Sequence, residues 1–163
     1  MKMWKYIFST VLGEMAVGGS ERGLRFLVLL GDNPSAALES VAPVLELPSP
    51  FESAAAKVIN YLKGHQVDFS EPLDFSGASN FQEKVWQITR LIPYGETRSY
   101  GWIAAQVGKP NAYRAVGQAL GSNPLPIIIP CHRVIAANGG LGGFGGGLKM
   151  KAFLLHLEAR QNT

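Results

Sequence analysis

The residues of this chain best suited to covalent chemistry lie together in Pro130-Cys131-His132-Arg133-Val134. Cys131 is the only cysteine among 163 residues. A thiolate is the reactive form of cysteine, and a neighbouring imidazole is a ready acceptor for its proton. A cysteine that follows Ile127-Ile128-Ile129 also fits a small buried hydrophobe. If the segment is extended, the side chains of Cys131 and His132 point to opposite faces, and direct sulfur–imidazole contact is awkward. Glu158 is the third candidate. It shares an apolar stripe with Leu154 and Leu155 on a helix expected over about Leu148 to Arg160. An acid in that position is either at the helix edge or buried with a partner, and His132 is the natural partner.

One cysteine excludes an internal disulfide and a multi-cysteine zinc site. With three histidines, one of them beside the cysteine, no metal centre and no cofactor are expected. Gly139 to Gly147 holds seven glycines around Leu141 and Phe144, and Gly140 to Gly145 spells G-x-G-x-x-G. Too little sequence follows it for a dinucleotide-binding βαβ unit, and Lys149 is not in the P-loop order. The loop reads either as flexible surface or as a pocket wall for a flat ligand, with Phe144 as its apolar contact.

The elements that must position these residues read as a helical half. Ser79-Asn80-Phe81-Gln82 is a capping box opening a helix that stops at Pro93. A short helix follows from about Ser99 to Val107. A turn through Gly108-Lys109-Pro110-Asn111 leads, with Asn111 as the expected cap, into another helix reaching about Leu120. Two short helices joined in this way form a helix-turn-helix pattern. On the second, Ala112, Ala115, Val116, Ala119 and Leu120 suit a core face. Arg114, Gly117, Gln118 and Gly121 form the opposite stripe. Glycine inside a helix needs a contact reason, either a DNA backbone or a close neighbouring helix.

The first half reads as α/β. Trp4 to Phe8, Gly13 to Val17 and Leu24 to Leu30 have strand character, with turn chemistry at Gly18-Gly19-Ser20 and Arg22-Gly23. A helix from about Pro50 to Lys63 starts at the capping box Ser49-Pro50-Phe51-Glu52. Pro34 to Pro48 is a mixed connection, and Phe69 to Gly77 reads as a linker. The expected division is a scaffold domain with its linker over 1–75 and a DNA-binding, chemistry-bearing domain over 76–163. Charge divides similarly. Six basic and nine acidic residues up to Phe75 give −3, whereas nine basic and three acidic residues from Ser76 onward give +6. That asymmetry points to an anionic partner such as nucleic acid for the second half. No apolar run approaches a membrane span. Lys2 and Lys5 before Tyr6-Ile7-Phe8 fall short of a signal peptide, so a cytoplasmic protein is expected.

Taken together, Ile92-Pro93-Tyr94-Gly95-Glu96-Thr97-Arg98-Ser99-Tyr100-Gly101, Arg114-Ala115-Val116-Gly117, Asn123-Pro124, Ile129-Pro130-Cys131-His132-Arg133-Val134 and Gly146-Gly147-Leu148 resemble the O6-alkylguanine-DNA alkyltransferases, also called methylated-DNA–protein-cysteine methyltransferases. The likeness runs over about residues 78 to 160, and the strand-rich start is more loosely similar to the family's N-terminal domain. It implies an α+β protein: a small ribonuclease-H-like α/β domain followed by a mostly helical, winged-helix-like helix-turn-helix domain. It also implies repair of O6-alkylguanine, with O4-alkylthymine as a further substrate, by base flipping and irreversible transfer of the alkyl group to Cys131. Each molecule would act once, as a monomer approaching the minor groove.

By the same resemblance His132 would activate Cys131 through a water, Glu158 would orient and charge the imidazole, and Asn123 would hold the turn. Tyr100 would serve guanine N3. Arg114 would fill the space left in the stack, with Ser99, Tyr113, Ala115, Gly117 and Gln118 at the DNA surface. Pro126, Val134, Phe144 and Gly145 would line the base pocket, and the carbonyls of Cys131 and Val134 would accept from the exocyclic amine. Two positions depart from some relatives: Gly145 replaces a serine, and Tyr113 replaces a smaller residue. Three other readings compete: a lesion-binding protein without transfer, a helix-turn-helix regulator, and a cysteine hydrolase. The first lacks the motif cysteine, which is present here. The second leaves Cys131, the glycine loop and Glu158 without purpose. The third has no need of DNA.

Overall fold

A computed structural model describes residues 2–31, 42–43, 49–142 and 147–161. Most of the connection expected over Pro34 to Pro48 therefore lies outside the described residues. Phe144 and Gly145 lie outside them as well. Contacts divide the chain into Met1–Ser76 and Gly77–Thr163.

The first unit is built on a four-stranded sheet in the order β3-β2-β1-β4. Its strands are β1 (Trp4–Thr10), β2 (Gly13–Ser20), β3 (Gly23–Leu29) and β4 (Ala42–Pro43). β1, β2 and β3 form an antiparallel meander, and β4 joins β1 in parallel. Gly18 and Gly19, expected in a turn, instead lie inside β2 where the register with β3 shifts. A Cβ on Gly18 would come within 2.2 Å of the Trp4 carbonyl oxygen, and one on Gly19 within 2.1 Å of that of Gly23. This bulge brings backbones closer than a side chain allows. Helix α1 (Pro50–Leu62) begins where expected: the Ser49 side chain accepts from Glu52 N, and Pro50 occupies the first turn. It buries Phe51, Ala54, Ala55, Val58, Tyr61 and Leu62, and packs on β1, β2 and β3, where Ala16, Val17 and Leu27 are buried.

The segment expected as a linker is pinned. Leu24 N donates to Pro72 O at 2.9 Å and Asp74 N to Leu24 O at 2.9 Å. The Asp74 carboxylate is buried and accepts from the Ser20 and Ser76 hydroxyls, each at 2.5 Å, and from Arg25 at 3.4 Å. Burial would raise this carboxyl, but the two serines and the Arg25 charge outweigh it and hold it well below the usual carboxylate range. The polar composition of Phe69 to Gly77 thus serves a buried node.

The second unit contains α2 (Asn80–Arg90), β5 (Arg98–Ser99), α3 (Tyr100–Gln106), α4 (Tyr113–Gly121), a 3₁₀ turn (Cys131–Arg133), β6 (Val134–Ile135) and α5 (Leu148–Gln161). Helices α2 and α3 start as their sequences direct. Ser79 and Gln82 complete a reciprocal capping box, and Ser99 caps α3 by accepting from Trp102 N at 3.0 Å. Helix α4 departs from expectation. Its cap position is Ala112, not Asn111, and it has no side-chain capping bond. It is held through its other end, where the buried Trp86 indole donates to Ala119 O at 2.8 Å. Val116, Ala119 and Leu120 are buried against α2 and α3, whereas Ala112 and Ala115 are half-buried. β5 and β6 pair in parallel, Arg98 opposite Val134, and so place the start of α3 beside the end of the cysteine turn. Among the described residues no helix is long and apolar enough to cross a membrane.

Removing the Asp74 carboxylate strands the buried Ser20 hydroxyl and the half-buried Ser76 hydroxyl and frees Arg25. Asp74→Ala should therefore lower stability by about 2–4 kcal/mol in denaturant unfolding. A loss under about 0.5 kcal/mol, the size of an ordinary surface substitution, would show that the node does not hold the segment.

Candidate active site

The cysteine segment is a 3₁₀ turn and not extended chain, so the expectation that Cys131 and His132 point to opposite faces does not hold. A 3₁₀ turn advances about 120° per residue. It therefore lets His132 and Arg133 both turn toward one group, and that group is Glu158 on α5. His132 Nε2 lies 2.5 Å from Glu158 Oε2. Arg133 forks the same carboxylate, Nε to Oε1 at 2.8 Å and Nη2 to Oε2 at 3.1 Å. Gly95 N donates to Oε1 at 2.9 Å, and Arg133 Nη1 donates to Ile92 O at 2.8 Å. Glu158 is only 1% exposed and His132 is fully buried, so Glu158 is a partnered internal acid rather than a helix-edge one. Burial alone would raise its carboxyl, but the bonds and charges of His132 and Arg133 hold it at about 2.

The turn leading to the cysteine is fixed by Asn123. Its Oδ1 accepts from Leu125 N at 2.8 Å, its Nδ2 donates to Ile129 O at 3.0 Å, and its side chain also bonds the Cys131 sulfur. Ile129 N closes the turn onto Leu125 O at 2.8 Å. Within it Ile127 sits at φ 73°, a left-handed conformation that a β-branched residue adopts only under constraint. The strain lies four residues before the sulfur, in the segment Asn123 holds. Pro126 is half-buried in this turn and pairs with Ile129 in an isolated bridge.

Burial pushes the Cys131 thiol up, against lowering contributions from Asn123 and the charge of Lys151. Burial also pushes His132 down. Glu158 acts to raise it, whereas Arg133 and Lys151 act with burial. The expectation that Glu158 charges the imidazole is thus met by an opposing cation that the sequence reading did not weigh.

Lys151 is a second residue that reading missed. It is 0% exposed, donates to Val134 O at 2.6 Å and to the Tyr100 hydroxyl at 3.4 Å, and its Nζ lies 5.6 Å from the Tyr100 ring centroid. The spacing Lys151, Leu154, Glu158 places it on the stripe that exposed Glu158 as a candidate. Tyr100 is held from another side by the glycine loop, since a Cβ on Gly142 would come within 2.6 Å of its hydroxyl. Gly142 also has φ 69°, so glycine is required there twice over.

Cys131, His132, Glu158 and Asn123 are therefore linked in one hydrogen-bonded and charged cluster. Tyr100 and Val134 reach it through Lys151. The stripe of α4 is separate: Tyr113, Arg114 and Gln118 are exposed, and Ala115 and Gly117 are half-buried. Ser99 uses its hydroxyl as the cap of α3. Among the described residues no group of three or more His, Cys, Asp or Glu could hold a metal ion.

Residues 80–160 match the 6-O-methylguanine DNA methyltransferase DNA-binding domain, and residues 3–75 match the ribonuclease-like domain of the same family. A methylated-DNA–protein-cysteine methyltransferase of Mycolicibacterium paratuberculosis is 51% identical over 117 residues, covering 72% of this chain and 70% of that protein. One from Methanosarcina barkeri is 42% identical over 156 residues, covering 96% and 97%. The crystal structure of Mycobacterium tuberculosis OGT in complex with DNA matches with a TM-score of 0.82 at 39% identity, covering 99% of this chain and 94% of that one.

The depressed Glu158 carboxyl carries a stability signature. An unfolded glutamate titrates near about 4.3. The contribution of Glu158 should therefore be complete above that value and should vanish as pH falls toward about 2. Glu158→Gln leaves Arg133 buried without its counter-charge and should cost about 3–5 kcal/mol at neutral pH. The gap between wild type and variant should narrow steadily below about pH 4.3. Denaturant titrations at several pH values measure it, and a gap independent of pH would contradict the assignment.

Proposed function

The chain belongs to the methylated-DNA–protein-cysteine methyltransferases, and from that membership and the geometry of its site we propose that Cys131 is the alkyl acceptor for O6-alkylguanine flipped out of duplex DNA. As a methylated-DNA–[protein]-cysteine S-methyltransferase it is an enzyme of DNA repair by alkyl transfer. The observation that carries the finer reading is the chain Glu158–His132 ending beside a lone cysteine that Asn123 holds in a strained turn.

The transfer forms a bond between Cys131 Sγ and the alkyl carbon as the bond from that carbon to guanine O6 breaks. The electron pair of the broken bond stays on the base. His132, whose Nε2 is engaged by Glu158, takes the thiol proton through a bridging water at its other ring nitrogen. The base regains a proton at its ring from the Tyr100 hydroxyl; Tyr100 then recovers a proton from water as the His132 imidazolium releases its own, so no charge accumulates overall. Lys151 holds that hydroxyl and the Val134 carbonyl in place. The carbonyls of Cys131 and Val134 accept from the exocyclic amine, which selects guanine. O4-alkylthymine remains a further substrate in this reading. No residue of the site offers a route back from a thioether, so each molecule acts once.

Duplex DNA is engaged through α4 from the minor groove by a monomer. The Cβ of an alanine at Gly121 would meet nothing within 4 Å, and one at Gly117 only the edge of Tyr100 at 4.0 Å. Packing among the described residues therefore gives no reason for either glycine, which favours close approach of an external backbone over a neighbouring helix. Arg114, exposed in the first turn of α4, inserts where the base departs. Tyr113, Ala115 and Gln118 face the same groove, and Ser99 contributes by fixing the start of α3.

Two experiments test this. Duplex DNA carrying labelled O6-methylguanine, in excess, should transfer one equivalent of methyl per protein, placed on the Cys131 peptide by mass analysis. Cys131→Ser should transfer none while binding duplex normally. Turnover beyond one equivalent, or label on another residue, would refute the assignment. Arg114→Ala should slow repair of duplex by at least about tenfold yet barely change reaction with free O6-benzylguanine, because only duplex imposes an unstacking cost of a few kcal/mol. Equal losses on both substrates would give Arg114 a different role.

A further inference from the structure

Arg133 takes no part in the steps above, yet two of its three guanidinium nitrogens are committed to Glu158 and the third to Ile92 O. A carboxylate alone beside a buried imidazole would favour the imidazolium, because the pair is then neutral. Here the guanidinium already neutralises that carboxylate from 2.8 Å. A proton added to His132 would create a net positive charge in a buried cluster that also contains the Lys151 ammonium. The groups facing His132 and Cys131 are Glu158 and Lys151 from α5, Arg133 within the turn, and Asn123 before it. Tyr94 lies beneath Arg133, whose guanidinium carbon is 5.6 Å from the Tyr94 ring centroid. Glu158 is the one anion among these when Cys131 is a thiol.

We propose that Arg133 is a positioning residue that, by taking up the charge of Glu158, holds the DNA-free site as a thiol and a neutral imidazole. On the reading of Cys131 as acceptor, on which this inference rests, the sulfur then gives up its proton as it attacks the alkyl carbon and not beforehand. Indiscriminate electrophiles would meet a buried thiol instead of a preformed thiolate, and the single acceptor would be kept for DNA. The burial-driven depression of His132 and elevation of Cys131 agree with this state.

The test is the titration of the three histidine Cε1–H resonances in the full chain by NMR, assigned with His65→Gln and His156→Gln. In wild type, the His132 midpoint should lie below the ordinary histidine value, and in Arg133→Met it should rise by about one pH unit or more. Chloroacetamide should alkylate Cys131 several-fold faster in Arg133→Met than in wild type at neutral pH. Arg133→Lys keeps the charge without the fork, so its midpoint should remain within about half a unit of wild type. A charged His132 in wild type at pH 7 would overturn the proposal whether or not the variants fold. So would an unchanged midpoint in a folded Arg133→Met, or a full-unit rise in Arg133→Lys. The titration does not depend on methyl transfer. Failure of transfer would remove the functional reading alone, and failure of the titration would leave transfer standing.

Discussion

A carboxylate removed from water must be met by donors, and Glu158 is met by the imidazole of His132, two nitrogens of Arg133 and the backbone of Gly95. Those donors come from separate stretches of chain: the loop after α2 and the turn at the cysteine, both drawn onto α5. Satisfying one buried charge therefore fixes three segments at once. It also explains why the cysteine segment is a 3₁₀ turn. Consecutive residues of a strand diverge by about 180°, so His132 and Arg133 could not both reach the same carboxylate from extended chain. The tighter turn places them on Glu158 and leaves Cys131 at its start, against Asn123.

The first unit solves a similar problem in the same way. Asp74 is a buried acid in a segment without regular secondary structure, and its Ser20 and Arg25 partners bind that segment to β2 and β3. Short irregular stretches cannot rely on ladder hydrogen bonds for their position, so one well-partnered carboxylate substitutes for them. In both places the node costs more to break than to build, because most of the partners left behind are themselves buried or charged. The strained Ile127 belongs to the same economy of local constraint: Asn123 and the Ile129–Leu125 bond hold a conformation the residue alone would leave.

Features governed by local rules were legible in the sequence. Ser49 and Ser79 cap the helices they precede, as their capping boxes indicate. Glu158 stood out because an acid on an apolar stripe demands a partner. Lys151 occupies that stripe two turns earlier but was lost among the cations of a basic half, where a solvated surface is the ordinary reading. Arg133 was hidden by its neighbours, since attention to Cys131 and His132 treats the next residue as motif and not as chemistry. The pinning of Phe69 to Gly77 depends on Ser20 and Arg25, some fifty residues away, and no local pattern announces such a contact. Asn111 was a sound cap candidate by composition, yet α4 starts one residue later and is anchored at its far end by Trp86.

Burial also changes what the charge asymmetry means. The second half carries nine cations and three carboxylates in sequence, but Arg133, Lys151 and Glu158 are internal. Seven cations and two carboxylates then remain where a duplex could meet them, among them Lys84, Lys109, Arg114 and Lys149 in exposed positions. The positive sign survives, and with it the expectation of an anionic partner, whose phosphate contacts are weakened by salt. The internal cations act on a different object. Shielded from the salt that screens the surface, Arg133 and Lys151 set the electrostatics of Glu158, His132 and the Cys131 sulfur. One basic domain thus holds two separate populations of positive charge, and added salt should weaken the hold on DNA far more than it alters the chemistry at sulfur.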